Sequence, residues 1–164
     1  MRSLLVMISL IAIAAGSTNG FAAVKVNFVN PEHYTDVGSL GGRDRVRNLD
    51  ELERAFQKLG ERYLLPGQTL TIDVLDIDLA GRLEPWHVTP NDVRYMREIT
   101  WPQMKLHYTL ESASEPPLQA EETISDRSYL EIPNTNFSER LPYDKRMMER
   151  WFKARFVQHR PPHG

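Results

Sequence analysis

Cysteine is absent from all 164 residues. Its absence excludes disulfides, thiolate metal centres, a cysteine nucleophile and a lipid-modified N-terminal cysteine. A fold built from this chain must be held by packing alone. A strong excess of charge of either sign is missing as well: 20 Lys and Arg stand against 22 Asp and Glu, for a net −2. That excludes the electrostatic footprint of a nucleic-acid binder, and no nucleic-acid partner is expected. No apolar run reaches the roughly 20 residues of a membrane span. Motifs of chemistry are missing too. There is no Gly-x-Ser-x-Gly elbow. Gly38-Ser39-Leu40-Gly41-Gly42 lacks the lysine and the strand-helix context of a phosphate loop. His33, His87, His107, His159 and His163 show no paired metal-ligand spacing. No metal or cofactor is therefore expected.

What is present begins with an address label. Arg2 precedes an uncharged apolar run, Leu4-Leu5-Val6-Met7-Ile8-Ser9-Leu10-Ile11-Ala12-Ile13-Ala14-Ala15, followed by small and polar residues. Gly20-Phe21-Ala22 puts small side chains where a signal peptidase reads them, which predicts cleavage after Ala22. Residues 1–22 thus read as a cleaved signal peptide. With no cysteine after the cut and no later apolar span, the expected product is periplasmic, with no membrane anchor. About 142 residues remain, enough for one domain with a core and too few for two. They divide into a single domain at 23–158 and a tail at 159–164 expected to be disordered.

The hydrophobic pattern outlines that domain. Val24-Lys25-Val26-Asn27-Phe28-Val29 alternates as a half-buried strand. Residues 31–47, with His33, Tyr34, Gly38, Gly41 and Gly42, read as an exposed loop. Asn48 is placed to cap a helix whose apolar stripe is Leu49, Leu52, Phe56, Leu59 and Tyr63. From Thr69 the period becomes two. Leu70, Ile72 and Val74 share one phase, and Leu75, Ile77 and Leu79 the other. Such a slip is the signature of a β-bulge, although two-sided burial of a central strand produces the same pattern. Residues 83–91 carry Pro85, Trp86, His87 and Pro90 and cannot form a regular strand interior. Further strands are expected at 93–97 and 104–110, and a weaker edge strand at 118–124, between Leu118 and Ile124. Pro142 suits the first turn of a closing helix on which Met147, Met148, Trp151 and Phe152 cluster. The order β-α-β-β-β-(β)-α predicts an α+β fold. Its core would be one mixed, mostly antiparallel sheet of four to five strands with two helices packed on it, the first two strands being parallel neighbours.

Several strings together resemble a family of bacterial exported proteins catalogued as domain of unknown function 3016. They include Val26-Asn27-Phe28 with Pro31, Tyr34-Thr35-Asp36, Leu65-Pro66-Gly67 and Asp76-Ile77-Asp78-Leu79-Ala80-Gly81. Asp92-Val93-Arg94, Trp101-Pro102, Asp126 with Tyr129, and Tyr143 through Trp151-Phe152 continue the resemblance along the mature chain. It implies a bacterial envelope protein. It transfers no catalytic or binding role to any residue.

Three functions compete. The leading one is a periplasmic binding or assembly module without catalytic activity. It would meet an envelope protein through the Trp86 loop, with His87 and Tyr34 as exposed contacts, or by β-augmentation at the 118–124 edge. The second is an envelope hydrolase using Asp76 or Asp78 as base and His87 as its partner, in a pocket that also holds Arg94. The third is a small-ligand or metal carrier built on the same residues. Against the last two stands a plainer reading, in which Asp73, Asp76 and Asp78 are solvated or pair across strands with Arg94 and Arg97. Trp151 and Trp101 are expected in the core.

Overall fold

The computed structural model describes residues 21–38, 42–84, 94–113, 115–132 and 138–158. Strand β1 (Ala23–Phe28) leads through a short 3-10 turn (Pro31–His33) to helix α1 (Arg43–Tyr63). Strand β2 (Thr69–Asp78) follows, then a ribbon of two short strands, β3 (Arg82–Leu83) and β4 (Arg94–Tyr95). Strands β5 (Gln103–Glu111) and β6 (Leu118–Ser125) and helix α2 (Pro142–Phe156) complete the order. The main sheet runs β1-β2-β5-β6, with β1 parallel to β2 and the other pairs antiparallel. The expected α+β fold is therefore present, with four strands in its sheet and two helices packed on it.

One face of the sheet makes the core. Leu70, Ile72 and Val74 of β2 point inward with Met104, Leu106 and Tyr108 of β5. The register slips between Val74 and Asp76. This bulge keeps Ile77 on the same buried face although it lies three residues after Val74. The expected phase slip is thus a bulge. Leu52, Phe56 and Leu59 of α1 cover the inner face, as do Met147, Met148, Trp151, Phe152 and Phe156 of α2. Aromatic edges fill the seam. Trp151 meets Tyr108 at 5.5 Å and Phe156 at 5.4 Å, both edge to face. Gly60 lets α1 approach β1 closely, because an added Cβ there would lie 2.1 Å from Val24 Cγ2. Glu122 ties β6 to β5 and α2: its carboxylate accepts from the Tyr108 hydroxyl, Trp151 Nε1 and Arg155 Nε at 2.9, 3.2 and 3.0 Å.

The opposite face is polar and open. Asn27, Asp73, His107 and Glu121 sit side by side across the four strands. Asn27 donates to Asp73 at 2.8 Å, and His107 Nδ1 lies 3.4 Å from the other Asp73 oxygen.

Four expectations change. Helix α1 starts at Arg43 rather than at Asn48, with Gly42 preceding it at φ +80°. Asn48 is buried within the helix, donating to the Val37 carbonyl and accepting from Arg140, both at 2.8 Å. The first turn is polar, so no apolar stripe announces it. The expected strand at 93–97 is reduced to β4, which pairs with β3 and not with the main sheet. Trp101 is half-buried under the Arg127 guanidinium, 5.2 Å away, while Trp151 is in the core as expected. The loop at 31–47 is only partly exposed, since Tyr34 and Val37 are buried.

Candidate functional site

The bulge in β2 organises the residues singled out in the sequence. After the 3-10 turn the chain returns to the sheet, and Asp36 forms an isolated parallel bridge with Asp78. The Asp36 N–H donates to the Ile77 carbonyl at 2.8 Å, and the Leu79 N–H donates back to Asp36 at 3.0 Å. Between these contacts, Tyr34 swings its ring into the core. Its hydroxyl donates to the Val74 carbonyl at 2.7 Å, at the point where the register slips. Burial, more than the neighbouring carboxylates, pushes this hydroxyl up to about 12. Tyr34 is thus buried and not an exposed contact; the bulge supplies the carbonyl that draws it in.

The three aspartates of β2 have separate partners. Asp73 belongs to the open-face row. Asp76 accepts from the Thr35 N–H at 2.7 Å and from its hydroxyl at 2.8 Å, which pins the returning segment. Asp78 pairs with Arg82 at 3.0 Å, and partial burial raises its carboxyl above the ordinary range. Neither Asp76 nor Asp78 meets Arg94, and Arg97 pairs instead with Glu84 at 2.8 Å. The expected cross-strand pairing with Arg94 and Arg97 is therefore corrected. Both arginines lie on the far side of the 79–81 turn and find carboxylates closer to them.

Arg94 is a clamp. It grips Asp36 at 2.8 Å, and its Nε donates to the Ala80 carbonyl at 2.9 Å. Nη2 also reaches the carbonyls of Leu79 and Gly81 at 3.2 and 2.7 Å. The turn it holds requires Gly81. With φ +74°, an added Cβ would lie 2.7 Å from Met96 Sδ and 2.8 Å from the Tyr95 carbonyl. Arg94 thus spends its fork on the protein itself, stitching β2, its exit turn and β4 together.

Beside this knot sits a carboxyl absent from the sequence-based set. Asp144, in the first turn of α2, is 2 % exposed and accepts from the Ala80 N–H at 3.1 Å. Burial raises it from 3.8 to about 7, against the pull of Ala80 and Arg94. Asp144 and Arg94 both line a cavity of about 300 Å³ bounded by α1, the 79–81 turn, the β3–β4 ribbon and the start of α2. Nothing in the sequence marks Asp144 beyond its place in a helix first turn, where an acid reads as an ordinary response to the dipole. A larger groove of about 660 Å³ runs between α1 and α2, but much of its charge is paired within the fold. Glu51 meets Arg54 and Lys145, and Glu149 meets Arg62 and Lys153.

Of the proposed site residues, Trp86 and His87 lie outside the described residues. Among the described residues, no group of three or more His, Asp or Glu side chains could hold a metal ion. None of the described helices is long and apolar enough to cross a membrane. A family profile described as "Protein of unknown function (DUF3016)" matches residues 22–154. The chain belongs to this family. No curated protein and no solved structure matches it. For this DUF3016 chain the strings that carried the resemblance now have a physical reading. Tyr34-Thr35-Asp36, the 76–81 string and Arg94 all meet in one knot, and Trp151-Phe152 belongs to the core.

Proposed function

We propose that this DUF3016 chain is an exported, non-catalytic module of the bacterial envelope that binds a partner protein by strand addition along β6. The observation that carries the reading is the free edge of that strand. Among the described residues, no strand pairs with β6 on the side away from β5. The ladder tells which groups face outward. The Asp126 N–H donates to the Pro102 carbonyl, so residues 120, 122 and 124 bond inward to β5 by antiparallel alternation. Gln119, Glu121, Thr123 and Ser125 then turn their N–H and C=O groups outward, forming a template for an extended segment. Export is supported by the apolar leader after Arg2. The family match begins at residue 22 and β1 at Ala23, on either side of the expected cut.

The hydrolase reading gains no support from Asp76 and Asp78. Their carboxylates are engaged by Thr35 and Arg82, as structural carboxylates are.

The test is cross-linking in intact cells with wild-type protein and with Thr123→Pro. Proline at 123 removes an outward N–H and no bond to β5, so the fold should survive. A discrete wild-type adduct that is lost in T123P but retained in Thr71→Ala, on the open face away from the edge, supports strand addition. No adduct, or one indifferent to T123P, overturns it.

A further inference from the structure

The cavity beside Asp144 is independent of the β6 edge. Its lining carries three arginines, Arg47, Arg94 and Arg140, against two aspartates, Asp44 and Asp144. Arg140 sits at its mouth with Nε on Asn48 at 2.8 Å and one Nη2 contact to Asp44 at 3.4 Å, which fixes the plane of its guanidinium. No partner meets its Nη1 among the described residues. Arg47, one turn along α1 from Asp44, lines the same cavity with its side chain exposed and unpaired among the described residues. Two guanidinium groups with donors left over among the described residues therefore line one cavity, whereas Arg94 and Asp144, which also line it, are committed to Asp36 and the Ala80 N–H. The wall is apolar, made by Leu83, Met96 and Tyr143.

We propose that this cavity is a binding site for a small organic anion, its carboxylate held by Arg47 and Arg140 and its apolar part against Leu83, Met96 and Tyr143. The planar forks of two arginines suit a carboxylate's paired oxygens. The apolar wall gives a hydrocarbon portion a place out of water. An amine would meet the same two guanidinium groups as like charge. Inorganic phosphate would satisfy them but would leave the wall uncovered.

The test is an NMR titration of the purified protein with hexanoate, hexylamine and inorganic phosphate, read at the amides of Leu83, Met96 and Tyr143. Saturable hexanoate shifts at those amides, with weaker binding of both other probes, support the site. Arg47→Gln should weaken hexanoate roughly tenfold, the scale of one lost charge-assisted contact. Among the described residues Arg47 holds no other group of the fold, so its substitution reports on binding and not on folding. Absence of saturable shifts with hexanoate overturns the proposal. So does equal affinity for hexylamine or phosphate, or unchanged hexanoate affinity in R47Q.

Discussion

Asp144→Asn isolates the energetic cost of the buried carboxyl at the start of α2. In the folded chain this group keeps its proton up to about pH 7, whereas its ordinary value is 3.8. Between those values the folded state holds a proton that the unfolded state has released, so stability falls as pH rises. At about 1.4 kcal/mol per unit, the loss between pH 4 and pH 8 is on the order of 4 kcal/mol. A carboxamide does not titrate, and its oxygen can still accept from the Ala80 N–H. D144N should therefore lack this slope and be more stable than wild type at pH 8, less whatever attraction to Arg94 is lost. The other shifted groups act elsewhere or in both proteins alike. Glu51, lowered to about 2 by Lys145 and Arg54, contributes stability that is lost only as pH falls below its ordinary 4.5. Tyr34 and Tyr108, raised to about 12, act above pH 10. Asp78, also raised, is present in both chains. Urea unfolding of the two proteins at pH 5, 6, 7 and 8 reads the difference. Parallel stability profiles would refute the reasoning and show Asp144 to be ionised without penalty.

Arg94→Lys should destabilise by on the order of 3 kcal/mol in urea unfolding, because an ammonium cannot span Asp36 and three carbonyls at once. Glu122→Gln should bring the Tyr108 hydroxyl down from about 12, since Glu122 is the second cause of its shift after burial; ultraviolet titration reads this. Glu122→Ala should cost about 2 kcal/mol in urea unfolding by leaving Tyr108 and Trp151 donors unpaired. Intact mass of protein recovered from a bacterial periplasm should correspond to a chain beginning at Ala23; recovery of uncut chain would remove the export reading.

Much of the fold was legible because it rests on local periodicity. The stripe of Leu52, Phe56 and Leu59 marks α1. The slip after Val74 marks the bulge, and Met147, Met148, Trp151 and Phe152 mark α2. The α1 start was illegible because Arg43 to Arg47 carries charge on every face but one, and Val46 is exposed. The site was less legible for a different reason. Charged residues look alike in a sequence, and only the return of the chain to β2 decides that Arg94 meets Asp36 and not Asp76 or Asp78. Tyr34 looked like a loop aromatic because the carbonyl that captures it is 40 residues away. Asp144 was invisible because a first-turn acid is ordinary, while its burial depends on the 79–81 turn closing over it.

Residue-resolved amide exchange along β6 in the cross-linked partner complex tests the central claim most directly. In the free protein, the amides of Ala120 and Glu122 should be protected and those of Glu121 and Thr123 should exchange fast. Strand addition predicts that Gln119, Glu121 and Thr123 become protected in the complex. Fast exchange at those positions in the complex would contradict it.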